Sequence, residues 1–94
     1  LTNRKLRPCL VLSNEMNDNI ILCQITSKNI KADDYSIELK KEQTNNGTLR
    51  IDSYIQTNMI FTANKFQIVK TICEIDNQIY ESVVKNILNT LRKD

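Results

Sequence analysis

The sequence predicts an α+β protein, mostly β, in which short strands form a compact barrel and one amphipathic helix closes the chain. Short apolar runs separated by turns rich in Asn and Asp occupy residues 9–75, and apolar residues recur at helical spacing from Ile79 to Leu91. A chain of 94 residues without repeats or low-complexity linkers fits one domain with a small core. We therefore predict a single domain over residues 1–94.

The composition excludes several kinds of site. The chain contains no histidine, so neither a histidine acid/base pair nor a histidine-ligated metal site can form. It has no Cys-x-x-Cys motif either, and we predict no metal and no cofactor. Cys9, Cys23 and Cys73 lack paired spacing and fit inert thiols in a reducing cytoplasm better than a disulfide framework. No stretch approaches the roughly 18 apolar residues that span a bilayer, so we predict no membrane association.

The first two predicted strands lie in the N-terminal third of the chain. Residues 9–12 form a short apolar run, and Pro8 steers Arg7 towards an extended conformation at its start. A turn rich in Asn and Asp follows over residues 13–19. Residues 20–25 are almost continuously apolar, which is typical of a central strand covered on both faces, although this pattern also fits a short buried helix.

Alternation predicts the next strands. After a polar loop over residues 29–34, Tyr35, Ile37 and Leu39 alternate with polar residues, as in a half-buried strand. The Asn-Gly step in the turn over residues 44–47 suits positive φ at a hairpin. Residues 49–55 alternate again, which places on one face Leu49, Ile51 and Ile55, and on the other Arg50, Asp52 and Tyr54.

Shorter signals complete the predicted fold. Residues 59–61 and 68–75 are further strand candidates. The C-terminal segment changes period, and Asp76 or Asn77 is suited to be the N-cap of a helix. Its apolar residues gather on one half of the helical wheel, namely Ile79, Val83, Val84, Ile87, Leu88 and Leu91.

Two ordered motifs carry a resemblance to a known family. Arg7-Pro8 opens an apolar strand that ends near Ser13, and the next apolar strand ends in Thr26-Ser27. The block over residues 49–55 then leads to Ile-Phe-Thr at residues 60–62. In this order, over nearly the whole chain, the motifs resemble the MazF/PemK toxins of type II toxin–antitoxin systems. Their combination is more specific than any one of them.

The resemblance implies a fold and a function. It implies an SH3-like barrel that forms a homodimer, cleaves single-stranded RNA without a metal, and is neutralised by a cognate antitoxin. The family's usual first strand, with a Gly-Asp and an aromatic-proline segment, has no counterpart here, and we expect it to precede Leu1 in the full molecule. A histidine in the N-terminal segment of the PemK branch also has no counterpart.

The resemblance also implies site residues. The family's arginine before the proline and its threonine at the next strand end, both implicated in catalysis, match Arg7 and Thr26. RNA supplies its own nucleophile, the ribose 2′-hydroxyl, so the enzyme must chiefly neutralise charge that builds on the phosphate oxygens. An arginine fork grips two such oxygens and stays charged. We predict that Arg7 binds the scissile phosphate with Thr26 donating a hydrogen bond beside it, which requires both side chains on one side of the molecule and outside the apolar interior.

Other candidate residues have two interpretations each. Arg50 and Asp52 match an Arg-x-Asp of the PemK branch and fit a charge stabiliser and a general base, but a structural salt bridge fits them equally well. Tyr54 on the same face could stack on a base or pack at the dimer contact. The remaining predicted RNA-binding residues, which would steer the phosphate backbone or only add solubility, are Arg4, Lys5, Lys28 and Lys31.

Two alternative functions use a similar architecture. A CcdB-like toxin inhibits gyrase without catalysis, but such proteins typically end their helix in a Trp-Gly-Ile tail, and this chain has no tryptophan. A non-catalytic SH3-like module that binds RNA or protein is the third interpretation. The sequence identifies neither the bases that would be recognised nor the antitoxin.

Overall fold

A computed structural model describes residues 6–28 and 33–93. Two 3₁₀ helices, Lys41–Gln43 and Lys65–Gln67, accompany the main elements. Those elements are β1 (Cys9–Val11), β2 (Asn19–Thr26), β3 (Ser36–Leu39), β4 (Thr44–Asn45), β5 (Ser53–Asn64), β6 (Glu74–Ile75) and α1 (Asn77–Leu91). The predicted α+β class, mostly β with a C-terminal helix, is confirmed.

The main sheet is antiparallel and has the strand order β1-β2-β5-β3, while β4 and β6 form a small second sheet. β5 is 12 residues long and unites two segments that the sequence predicted as separate strands. Its register with β2 is interrupted, because only Gln24 of β2 lies opposite residues 56–59 of β5. Such extra residues bend a strand and increase its twist. The sheet accordingly curls into a half-barrel around the core.

The core lies on the concave face of this sheet, under α1. Tyr80 of α1 packs against it and donates its hydroxyl to the carbonyl of Leu12 at 2.7 Å, which ties the helix to the end of β1. Burial of each large aliphatic side chain contributes about 1.5 to 3 kcal/mol. The buried apolar cluster comprises Leu10, Cys23, Ile25, Leu39, Leu49, Ile55 and Val83.

A buried hydroxyl joins the helix to the sheet. Thr57 of β5 is buried; its backbone N–H donates to the carbonyl of Tyr35 at 2.8 Å, and its hydroxyl donates to Oδ1 of Asn86 at 2.6 Å. Asn86 in turn donates from Nδ2 to the carbonyl of Asp34 at 3.1 Å. These bonds fasten the segment before β3 to both β5 and α1.

The predicted hairpin around Gly47 is wrong, although the positive φ is confirmed. Asn46 and Gly47 have φ of 53° and 127°. β4, just before them, pairs with β6 and not with the residues that follow the turn. Without that partner the chain bends over residues 50–51, so β5 starts only at Ser53 and Ile51 is 52% exposed, not buried beside Leu49.

One further prediction needs correction, towards the C-terminal end. Of the strand expected over residues 68–75, only β6 forms, because its partner β4 is two residues long. The predicted N-cap position is confirmed at Asp76, although its carboxylate accepts from Nδ2 of Asn45 at 3.0 Å and makes no side-chain capping bond. Leu88 and Leu91 of the predicted apolar face are 50% and 68% exposed.

In the described part of the chain, no helix combines the length and apolar character needed to cross a membrane.

The turn at Gly47 provides a test of the fold. A Cβ at this position would collide with the carbonyl oxygen of Ile72, and a φ of 127° is strained for any other residue. We expect Gly47→Ala to lower the free energy of unfolding by about 2 kcal/mol or more, measured by urea denaturation. Asn46→Gly keeps positive φ and is the matched control, expected within about 1 kcal/mol of the parent. An unchanged urea midpoint for Gly47→Ala would contradict this turn geometry.

Candidate active site

A row of polar side chains crosses the face of the sheet turned away from the core, here called the outer face. Thr26 of β2 lies opposite Tyr54 of β5, and Tyr54 lies opposite Glu38 of β3. Directly opposite residues of antiparallel strands project from the same face. Since the neighbouring Ile25 and Ile55 are buried in the core, these three side chains face outwards.

Arg7 joins this row through the β1–β2 register. Cys9 pairs with Gln24, and the backbone N–H of Ile25 donates to the carbonyl of Pro8 at 3.3 Å, which extends the ladder by one residue. The residue before a proline is held extended. Continuing the register by one more position therefore places Arg7 opposite Thr26, on strands about 4.8 Å apart. Arg7 is exposed, and Thr26 is half-buried at the end of β2.

A local hydrogen bond fixes the orientation of Thr26. Its Oγ1 accepts from the backbone N–H of Lys28 at 3.2 Å. A hydroxyl that accepts in this way keeps its own hydrogen available for donation. The backbone register thus places the predicted pair on one side of the molecule and outside the apolar interior.

Arg50 and Asp52 are placed differently from the prediction. Both lie before β5, so the expected shared strand face is wrong for the reason given above. The carboxylate of Asp52 accepts from the backbone N–H of Lys41 at 2.9 Å, at the start of the 3₁₀ helix Lys41–Gln43. Arg50 is exposed, and neither residue takes part in an ion pair within residues 6–28 and 33–93. The contact observed for Asp52 is therefore a backbone cap.

The predicted RNA-binding residues are only partly described. Tyr54 is half-buried in the middle of the polar row, between Thr26 and Glu38. Lys28 is exposed directly after β2. The predictions for Arg4, Lys5 and Lys31 fall outside the described residues.

The structure adds residues to the site that the sequence analysis missed. Glu38 ends the first row, with its carboxylate 3.8 Å from the ammonium group of Lys40. A second row runs beside the first, because Gln24 and Gln56 lie two residues from Thr26 and Tyr54 on their strands. Nε2 of Gln24 donates to Oε1 of Gln56 at 2.8 Å. The signal available in the sequence was the two-residue spacing of Gln24 from Thr26 within the apolar run.

All three cysteines are free thiols, and their burial raises the pKa of each. Burial is the main cause that raises the pKa of Cys23 to about 11, with a smaller contribution from Cys9. Burial also raises the pKa of Cys9 and of Cys73. These thiols are accordingly protonated near neutral pH. Within the described ranges no cluster of three or more Cys, Asp or Glu residues is arranged to hold a metal ion.

The fold agrees with the family indicated by the motifs. A family model of the PemK-like, MazF-like toxins of type II toxin–antitoxin systems matches residues 2–91. Because the match spans nearly the whole chain, the protein belongs to this family. Among curated protein sequences, no match was found.

Solved structures share the fold at low sequence identity. The Mycobacterium tuberculosis toxin MazF-mt6 is similar with a TM-score of 0.75 and 16% identity, over 94% of this chain and 88% of that one. A crystal structure of an Mtb toxin is similar with a TM-score of 0.75 and 16% identity, over 90% of this chain and 92% of that one. At this identity the likeness supports the architecture of the curled sheet and its C-terminal helix.

The cap made by Asp52 can be tested by two substitutions. Asp52→Ala removes the acceptor for the N–H of Lys41, and we expect it to lower the free energy of unfolding by about 1 kcal/mol. Asp52→Asn keeps an oxygen acceptor at that place and is expected to lose no more than about 0.5 kcal/mol. Urea denaturation of both variants measures the difference. Equal losses would contradict a capping role for the carboxylate.

Proposed function

We propose that this protein is a metal-independent endoribonuclease toxin that cleaves single-stranded RNA and is neutralised by a cognate antitoxin. The observation that carries the proposal is the β1–β2 register, which sets Arg7 opposite Thr26 on the outer face. Membership of the MazF-like toxin family supports the same reaction class. The site offers an arginine and a hydroxyl for one phosphodiester, which is what RNA cleavage by its own 2′-hydroxyl needs.

The proposed reaction forms one bond and breaks one. The ribose 2′-oxygen attacks the adjacent phosphorus while the bond from phosphorus to the 5′-oxygen breaks, giving a 2′,3′-cyclic phosphate and a free 5′-hydroxyl. The proton of the 2′-hydroxyl passes to a carboxylate base, and the leaving 5′-oxygen takes a proton from water. Charge on the non-bridging oxygens rises on the way, and Arg7 with the hydroxyl of Thr26 stabilises it. Preset donors of this kind are commonly the largest catalytic contribution.

In this proposal, one of two carboxylates accepts the proton. Asp52 uses one oxygen as a backbone cap, and its other oxygen serves as the proposed general base. Glu38, at the end of the row that holds Thr26 and Tyr54, is the second candidate. Arg50, exposed in the bend before β5, supplies additional positive charge in this proposal. Arginine hardly deprotonates, so it acts as a cation and not as the acid.

The surrounding residues fit binding of single-stranded RNA and of an acidic partner. In this proposal Tyr54 stacks on a base beside Thr26, and Lys28 contacts the phosphate backbone together with the predicted residues Arg4, Lys5 and Lys31. A flexible acidic segment of the antitoxin would compete for the same positive charge. A homodimer, an SH3-like barrel, a single domain and a cytoplasmic location stay predictions.

Cleavage in the presence of EDTA tests the function. Purified protein incubated with a mixed-sequence RNA is expected to produce fragments that end in a 2′,3′-cyclic phosphate. Arg7→Ala is expected to slow single-turnover cleavage by roughly 100-fold or more, because it removes the main charged donor. Arg92→Ala, which removes an exposed arginine after α1, is the matched control and is expected to cleave like the parent. Intact RNA with the parent protein, or parent-like cleavage by folded Arg7→Ala, would contradict the proposal.

A further inference from the structure

The outer face carries a pair of primary amides beside the proposed site of cleavage. Gln24 and Gln56 are half-buried, and each is two residues along its strand from a member of the first row. Their side chains meet across β2 and β5, where Nε2 of Gln24 donates to Oε1 of Gln56 at 2.8 Å. They meet where the β2–β5 backbone ladder is interrupted, so the side-chain bond takes the place of regular pairing there.

One hydrogen bond uses only part of what two amides offer. Each glutamine has an oxygen acceptor and two N–H donors. The oxygen of Gln24 and the amino group of Gln56 make no hydrogen bond with residues 6–28 or 33–93, and in those ranges no buried side-chain oxygen or nitrogen lacks a partner. The remaining amide groups therefore reach solvent. If the oxygen and nitrogen of both amides exchanged places, the pair would still present one carbonyl and one amino group outwards.

This arrangement is preorganised for a polar ligand. A glutamine in solution samples many rotamers, and fixing it costs side-chain entropy. The mutual bond at 2.8 Å holds both amides before any ligand arrives. A fixed carbonyl beside a fixed amino group matches the edge of a nucleobase, which also carries acceptors and donors side by side. Single-stranded RNA exposes these edges.

We propose that Gln24 and Gln56 form the subsite that determines sequence specificity by hydrogen bonding to the edge of the nucleobase next to the cleaved bond. The inference rests on the proposed endoribonuclease function. In the first row, Thr26 contacts the phosphate and Tyr54 stacks on an adjacent base. In the second row, the amide pair contacts the neighbouring base. The two rows are two residues apart on each strand, a spacing of about 6 to 7 Å, so the phosphate contact and the base recognition occur at separate positions.

Mapping of cleavage sites tests this subsite. The 5′ ends of fragments from a mixed-sequence RNA are sequenced for the parent and for Gln24→Leu and Gln56→Leu. We expect the base preference at one position beside the cut to fall by about 10-fold to 100-fold in both variants. Preferences at other positions are expected to remain. Gln78→Leu on α1, which packs on the opposite face of the sheet, is the matched control and should leave the profile unchanged.

Two outcomes overturn the inference. Uniform slowing at all sites with an unchanged base preference would mean that the amides serve only the structure of the sheet. An unchanged profile and rate would mean that they contact no base. Gln24→Glu and Gln56→Glu, which keep the shape of the side chain but replace its amino donors by an acceptor, give the same readout if the leucine variants do not fold.

A binding measurement separates this inference from the proposed function. If the parent leaves RNA intact in EDTA, the nuclease proposal has failed. Equilibrium binding of four homopolymeric 2′-deoxy oligonucleotides to the parent and to Gln56→Glu then decides on the subsite. Preference for one base by the parent that is lost in the variant supports the amide pair, and equal affinity of the parent for all four overturns it.

Discussion

The pairing of β2 with β5 is the constraint on which the rest of the structure depends. These two strands occupy the middle of the four-stranded sheet, and every other strand of that sheet is paired to one of them. Their register sends Ile25 and Ile55 into the core and Thr26 with Tyr54 to the outer face. A slip by one residue would exchange the two sets, exposing two isoleucines and burying a hydroxyl. Core and candidate site are therefore products of the same register.

Stability and proposed chemistry are carried by different side chains. The buried aliphatic residues and Thr57 hold the sheet against α1, whereas Arg7 is exposed and Thr26 makes one short-range bond. Removing the guanidinium of Arg7 takes little from the packed interior, so a loss of cleavage there can be separated from a loss of folding. Asp52 differs, because its cap gives it a structural role whatever it does in the reaction.

Local rules predicted much of the fold. Pro8 indicated the start of β1, the Asn-Gly step indicated positive φ at Gly47, and the change of period indicated α1, since each signal depends on residues close in sequence. The exposure of Ile51 and the length of β5 were not predictable in this way, because they depend on β4 pairing with a distant strand. Within the site, the ordered motifs led to Arg7 and Thr26. Glu38 and Gln56 join them only through the register of β5.

The central claim is that Arg7 and Thr26 act on one phosphodiester, and a double-mutant cycle tests it most directly. Single-turnover cleavage in EDTA is measured for the parent, Arg7→Ala, Thr26→Val and the double variant. Residues that act as a unit are strongly non-additive. We expect the double variant to be only slightly slower than Arg7→Ala alone, because the hydroxyl of Thr26 contributes little once the guanidinium of Arg7 no longer binds the phosphate. Rate losses that multiply, as for independent sites, would contradict the account.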